Sequence, residues 1–170
     1  GVHSEFTIMR ESADSFYLVS AGANQRLDHD WINKWMPTDG SVNFENLTSS
    51  IGVLVVSGPK SRELLSRLTQ EDLSSSSWKF LNSRIIRIAG IDAIAIRISF
   101  TGDLGWEIYV PIDQQLKLYE ALLNTGIDLK VSPVGSRSLL SLRVEKGYGS
   151  WGREYSPEYW PHEVGLDHLI

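Results

Sequence analysis

Residues 99–109 join a glycine-rich turn to a strand-like run that carries a carboxylate. Gly102 can adopt a positive φ, and the side chain of Asp103 can hydrogen-bond its own backbone, so both residues favour a tight turn. Glu107 follows shortly after this turn, between aromatic neighbours. A carboxylate in this position could accept two adjacent N–H donors of a ligand. The alternative is a hairpin in which Glu107 is simply solvated.

The run that contains Glu107 alternates with the period of a β-strand. This alternation predicts that Trp106 and Ile108 enter the core. It also predicts that Glu107 and Tyr109 share the opposite face and line a cavity.

A second carboxylate with possible chemistry is Glu5. Residues 2–9 alternate as a strand would, which places Glu5 on one face with Thr7 and Met9. A charge in the middle of a strand face is costly unless that face is wet or lines a site. An exposed sheet face therefore remains the alternative to a pocket here.

Composition excludes several classes of function. The chain has 170 residues, a net charge of −5 and interspersed basic and acidic residues, so there is no electrostatic footprint for nucleic acid or an anionic membrane. No apolar run is long enough to span a bilayer. With no cysteine and four scattered histidines, no metal site is predicted. No glycine loop has the spacing that binds a dinucleotide or a nucleotide phosphate.

The elements that must position these carboxylates are mostly adjacent strands joined by hairpins, with interspersed helices. This pattern predicts an α+β fold of antiparallel sheets with packed helices. Strands are expected at 2–9, 16–19, 42–47, 51–56, 84–88, 91–98 and 106–110. Helices are expected around 27–36, 59–68, 113–125 and 134–148.

Both ends of the sequence are consistent with an internal segment of a longer chain. It begins at Gly1 rather than methionine and ends on the apolar pair Leu169 and Ile170, which a missing element would be expected to cover. No targeting segment is recognisable. We expect this segment to be inactive on its own.

Four separated motifs together resemble the glycine-cleavage T-protein (aminomethyltransferase) superfamily, and they are collinear with it over nearly the whole chain. The closest resemblance is to the folate-binding domain of sarcosine and dimethylglycine dehydrogenases. The motifs lie at residues 1–8, 56–61, 99–109 and 142–148, the last followed by Trp151.

The resemblance implies roles for the two carboxylates. Glu107 matches the acid that binds the pterin ring of tetrahydrofolate, and Glu5 matches the catalytic acid near the nitrogens that take up the one-carbon unit. Thr7 and Met9 would line the pocket.

The resemblance also implies aromatic contacts to the folate ring. Phe100 and Tyr148 match ring-flanking aromatics, and Trp78 lies near another. Three positions depart from the family pattern: Glu5 replaces an aspartate, Phe100 lacks the usual tyrosine hydroxyl, and Leu139 stands where T-proteins carry an arginine.

The implied whole is a flavin-dependent dehydrogenase that demethylates sarcosine or dimethylglycine. Residues 1–170 would form the central part of its tetrahydrofolate-binding domain, with the FAD domain and a C-terminal barrel elsewhere in the chain. Folate here would capture the one-carbon unit as 5,10-methylenetetrahydrofolate. The expected partners are folate and a small methylated amine, with no nucleic acid or membrane and the oligomeric state open.

The resemblance leaves some alternatives open. The chain could be a free-standing tetrahydrofolate-dependent aminomethyltransferase, or a non-catalytic regulatory or scaffolding copy of the fold. Its expected location is the cytoplasm in a bacterium and the mitochondrial matrix in a eukaryote, and it is not expected to be secreted.

Overall fold

The structure is a computed structural model that describes residues 1–167, so the apolar pair at 169–170 lies outside the described part. Within it the chain forms two compact units. Unit 1 combines Gly1–Glu45 with the segment that begins at Gly149, and unit 2 is Asn46–Tyr148. None of the helices within residues 1–167 is long and apolar enough to cross a membrane.

Unit 1 is built on a small hairpin and one helix. The two strands pair antiparallel, with Thr7 opposite Val19 and Met9 opposite Tyr17. The regular elements are β1 (Thr7–Arg10), β2 (Phe16–Val19) and α1 (Gln25–Trp35), with short 3-10 turns at Gly22–Asn24 and Pro161–Val164.

The first strand is shorter than the alternation predicts, because it begins only at Thr7. The backbone N–H of Val2 donates instead to the carbonyls of Ser156 (3.2 Å) and Tyr159 (3.0 Å), which lie far along the chain. The prediction that Glu5 lies within a strand is therefore wrong. Periodicity could not show this, since the competing partners lie about 150 residues away in sequence.

The strand predicted at 42–47 is also absent. The flanking side chains bond nearby backbone instead: Asp39 accepts the N–H of Ser41 at 2.9 Å, and Asn46 accepts that of Thr48 at 3.0 Å. Such local side-chain bonds offer the backbone an alternative to a sheet ladder.

Unit 2 contains a four-stranded antiparallel sheet with the order β3-β6-β5-β4. This confirms the predicted α+β class with antiparallel sheets. The elements are β3 (Ile51–Ser57), α2 (Ser61–Ser66), β4 (Ser83–Ile88), β5 (Ile91–Ile96), β6 (Gly105–Pro111), a 3-10 turn (Ile112–Gln114), α3 (Gln115–Thr125) and α4 (Ser136–Lys146).

The core of unit 2 lies on one face of this sheet, against α2 and α3. Alternate residues of β6, namely Trp106, Ile108 and Val110, point into it. The two helices contribute buried leucines at positions 64, 65, 118 and 122. The apolar faces of the two helices thus pack on the apolar face of the sheet. Burial of this apolar surface is the main source of stability in a layered fold of this kind.

The end of α4 fixes the position of Tyr148. Gly147 adopts a left-handed conformation with φ 78° and ends the helix. The Gly147 N–H then donates to Val144 (2.9 Å) and the Tyr148 N–H to Arg143 (2.9 Å), as in a glycine-terminated helix of the Schellman type. The buried Arg143 guanidinium donates in turn to the Tyr148 carbonyl at 2.7 Å.

Candidate functional site

Glu107 lies on the face of the unit 2 sheet that is turned away from α2 and α3. Its neighbours on β6, Trp106 and Ile108, are 1% and 0% exposed in the core, which confirms the predicted alternation. In the antiparallel register Glu107 pairs with Val55 on one side and Ile96 on the other. Partners in register project from the same face, so apolar side chains flank the carboxylate.

The carboxylate of Glu107 is oriented by its own strand. The Tyr109 hydroxyl, two residues along on the same face, donates a hydrogen bond to it. Tyr109 is only 3% exposed, so it offers almost no surface to a cavity, contrary to the prediction. A hydroxyl bound to a carboxylate restricts its rotation and prepares it to accept further donors.

A cavity of about 230 Å³ lies in unit 2, around the glycine turn. Glu107 and Phe100 do not line it, although Phe100 is partly exposed. Its lining comprises Phe80, Arg97, Ile98, Ser99, Gly102, Asp103, Leu104, Gly105 and Tyr148. Tyr148 is thus the one predicted folate-contacting residue that this cavity includes.

The glycine turn is shaped by backbone contacts. Gly102 has φ 76°, a conformation that side chains with a Cβ rarely adopt. A Cβ on Gly105 would lie 3.1 Å from the Ile98 carbonyl and 3.2 Å from that of Val56. The turn is also tied to the start of α2, since the Gly58 N–H donates to the Leu104 carbonyl at 2.8 Å. The predicted turn chemistry at Gly102 therefore agrees with the structure.

Trp78 is a core residue rather than a ligand contact. Its side chain is 0% exposed, and its indole N–H donates to the Asn82 carbonyl at 2.7 Å. The Arg84 guanidinium lies 4.9 Å from the ring centroid. With its surface and its donor both occupied, Trp78 cannot flank a folate ring, and the structure corrects that prediction.

In unit 1 the Glu5 carboxylate accepts the backbone N–H of Trp151. Glu5 is exposed. Desolvation by the surrounding protein nevertheless raises its pKa, and the Trp151 hydrogen bond lowers it to a smaller extent. The neighbouring Ser4 hydroxyl donates to the buried carboxylate of Asp28 on α1 at 2.6 Å. The segment that carries Glu5 is thus fixed on both sides by hydrogen bonds that link it to distant residues.

The two β1 residues predicted to accompany Glu5 differ in exposure. Thr7 is partly exposed and can contact a ligand. Met9 is buried and offers almost no surface, which disagrees with its predicted place in a pocket wall. The alternation from Glu5 through Met9 does not hold, because the strand begins only at Thr7.

The raised pKa of Glu5 predicts a pH-dependent effect of Glu5→Gln. In the folded state the protonated acid is favoured, so its contribution to stability is full below the ordinary pKa of 4.5 and is lost as pH rises through the raised value. Glu5→Gln does not titrate. The free energy of unfolding of the variant, relative to that of wild type, should therefore be higher at pH 7 than at pH 4. Urea unfolding at both pH values measures this difference. Glu158→Gln, at an exposed position, is the control, and equal shifts in the two variants would contradict the prediction.

Comparison of the sequence with known proteins identifies the family of this chain. A match to the GCVT N-terminal domain covers residues 1–170, so the chain belongs to this family. It is 35% identical over 170 residues to the mitochondrial dimethylglycine dehydrogenase of Homo sapiens, with 99% of this chain and 20% of that protein covered. It is 33% identical over 172 residues to an aminomethyltransferase of Thermoanaerobacter sp. (strain X514), with 100% of this chain and 46% of that protein covered.

The fold has a relative among solved structures. A heterotetrameric sarcosine oxidase from Corynebacterium sp. U-96, in complex with pyrrole 2-carboxylate, superposes with a TM-score of 0.63 at 18% identity. The match covers 79% of this chain and 66% of that one. The family match and this fold agree with the resemblance inferred from the four motifs. The chain spans a fifth of the dimethylglycine dehydrogenase and less than half of the aminomethyltransferase.

Proposed function

We propose that this member of the GCVT N-terminal domain family is the folate-binding part of a one-carbon-transfer enzyme, with Glu107 as the residue that binds the pterin ring. The observation that carries the proposal is the arrangement on β6. There a carboxylate is oriented by Tyr109 on the sheet face opposite the core. A structural glutamate would not need such support, whereas a carboxylate that must accept two N–H donors at once benefits from a fixed orientation.

Glu5 has a separate proposed role as the proton-handling group. Desolvation raises its pKa, which makes the carboxylate a better base than a glutamate with an ordinary pKa, and its exposed position leaves it accessible to a ligand. The hydrogen bond from the Trp151 N–H holds it in place. Tetrahydrofolate, when bound, would supply the nitrogen that takes up the one-carbon unit. Thr7 and Phe100, both partly exposed, remain proposed folate contacts. Tyr148 also remains one, and it lines the cavity at the glycine turn.

We further propose that the chain is the central part of the tetrahydrofolate-binding domain of a flavin-dependent dehydrogenase. Identities of 35% and 38% to the human and Rattus norvegicus dimethylglycine dehydrogenases support this assignment. FAD and the methylated amine would then bind elsewhere in that protein, and the mitochondrial names of these relatives favour the matrix. The similarity to aminomethyltransferases supports a free-standing transferase as the second candidate.

Titration calorimetry with tetrahydrofolate tests the role of Glu107 in the natural protein that carries these residues. Glu107→Gln keeps the shape of the side chain but replaces one acceptor with a donor. We expect the affinity to fall by about 1.5–3 kcal/mol, the scale of a charge-assisted hydrogen bond. Glu120→Gln, an exposed change on α3, should leave the affinity unchanged. Equal affinities of Glu107→Gln and wild type would remove Glu107 from the site, and a wild type that does not bind folate would favour a non-catalytic copy of the fold.

A further inference from the structure

Helix α1 buries a charge while it exposes its apolar side chains. Among Gln25–Trp35, all of which the structure describes, only Asp28 is buried, at 4% exposed. Leu27, Trp31 and Trp35 are 38%, 41% and 65% exposed. An amphipathic helix attached by hydrophobic contact would show the opposite arrangement. The attachment of α1 at Asp28 is therefore polar.

The carboxylate of Asp28 is only partly satisfied by hydrogen bonds. Its Oδ1 atom accepts the Ser4 hydroxyl at 2.6 Å. Its Oδ2 atom is buried and has no hydrogen-bond partner among the residues that the structure describes. A buried carboxylate with an unpaired oxygen lowers stability, because the lost hydration is only partly replaced. A gain in stability therefore does not explain the burial of Asp28, whereas its bond to Ser4 can.

The segment before β1 depends on such contacts, because it is not paired as a strand and β1 begins only after Glu5. Trp151 provides one attachment. Its indole N–H donates to the Val2 carbonyl at 3.3 Å, and its backbone N–H donates to the Glu5 carboxylate. The bond from Ser4 to Asp28 provides another. Since Ser4 directly precedes Glu5, this second attachment limits the movement of the residue that carries the carboxylate.

Position matters for Glu5 because its side chain is exposed. Close packing does not restrict an exposed side chain, so its place depends on its backbone and on the bond from the Trp151 N–H. A misplacement of about 1 Å in a reacting group can lower a rate about 100-fold. A backbone held by Ser4 and Asp28 would therefore favour proton transfer without adding a contact to the ligand.

We propose that Asp28 is a positioning residue for Glu5 and acts through the Ser4 hydroxyl. This role rests on the proposed function of Glu5 as the proton-handling group. Asp28 serves as a hydrogen-bond acceptor rather than as a charge, because only its Oδ1 atom bonds Ser4. An asparagine side chain also offers one carbonyl oxygen as an acceptor. Asp28→Asn should therefore preserve the arrangement, whereas Asp28→Ala should not.

The test is single-turnover formation of methylenetetrahydrofolate in the natural protein, beside a folate titration. Asp28→Ala and Ser4→Ala should each slow transfer about 10- to 100-fold and leave the affinity for folate nearly unchanged. Both changes remove the same bond, so the double variant should be no slower than the slower single variant. Asp28→Asn should recover most of the rate lost in Asp28→Ala. Asp30→Ala, an exposed change on the same helix, is the control and should keep the wild-type rate.

Hydrogen–deuterium exchange tests the positioning without the reaction. The Trp151 amide, which donates to Glu5, should exchange at least about tenfold faster in Asp28→Ala than in wild type. Asp28→Asn should restore the slow exchange. The amide of Leu118, in the core of unit 2, should exchange equally in all of these variants. A wild-type rate in Glu5→Ala would remove the proposed base, and the exchange at Trp151 would still decide whether Asp28 positions the segment.

A wild-type transfer rate in Asp28→Ala, alongside a slow Glu5→Ala, would overturn the proposal. Wild-type exchange at Trp151 or additive losses in the double variant would do the same. A rate in Asp28→Asn as slow as that in Asp28→Ala would also contradict it, since the charge rather than the hydrogen bond would then matter. If Asp28→Ala does not fold, Ser4→Ala decides the outcome, because it removes only a partly buried hydroxyl.

Discussion

Glu5→Ala should slow one-carbon transfer to tetrahydrofolate by about 10²–10⁴-fold, the usual contribution of a positioned general base. The affinity for folate should change much less, because the variant leaves Glu107 and its Tyr109 support intact. The measurement is single-turnover formation of methylenetetrahydrofolate in the natural protein, beside a folate titration. A base loses activity as it is protonated. The wild-type rate should therefore fall with decreasing pH through a pKa above the ordinary 4.5 of glutamate.

Glu158→Ala is the matched control for Glu5→Ala. Glu158 lies in the same unit, is exposed and forms no catalytic contact in our proposal. It should retain the wild-type rate. A loss below tenfold in Glu5→Ala, or a pH profile that Glu5→Gln leaves unaltered, would reduce Glu5 to a structural carboxylate in the segment before β1.

Leu118→Ala should lower the free energy of unfolding by about 2–5 kcal/mol, the range for truncating a buried leucine. Leu118 is 0% exposed and packs in the core between α3 and the sheet. Leu116, two residues earlier on the same helix, is 66% exposed. The change Leu116→Ala should cost no more than about 0.5 kcal/mol. Urea unfolding measures both, and similar losses in the two variants would show that α3 does not pack as described.

The strand β6 was readily predicted from the sequence, whereas the surroundings of Glu5 were not. Around Glu107 the relevant information is local: a glycine turn followed by strict alternation fixes which side chains enter the core. Around Glu5 the decisive hydrogen bonds come from residues near position 155, and no pattern within residues 2–9 can reveal them. The alternation there therefore predicts a strand that does not form, because the backbone of Val2 hydrogen-bonds to Ser156 and Tyr159 instead.

Trp78 shows a different limit of sequence analysis. Trp78 was expected at the folate ring only because the family resemblance places it near a ring-flanking aromatic. The Arg97 contact to its carbonyl and the Asn82 contact to its ring nitrogen instead accompany its burial in the core. The hydrogen bond from Tyr109 to Glu107 was missed because a period of two shows which residues share a face of the sheet but not how deeply each of them is buried.

The interrupted chain path of unit 1 has a consequence for biosynthesis. Unit 2 is one continuous segment, Asn46–Tyr148, and can complete its core as soon as it leaves the ribosome. Unit 1 cannot be completed so early, because the Val2 N–H bonds to the carbonyls of Ser156 and Tyr159, which are synthesised after all of unit 2. Closing so long a loop is cheaper once the intervening segment is already compact. The order of synthesis therefore makes the segment that carries Glu5 the part of the chain whose long-range hydrogen bonds form last.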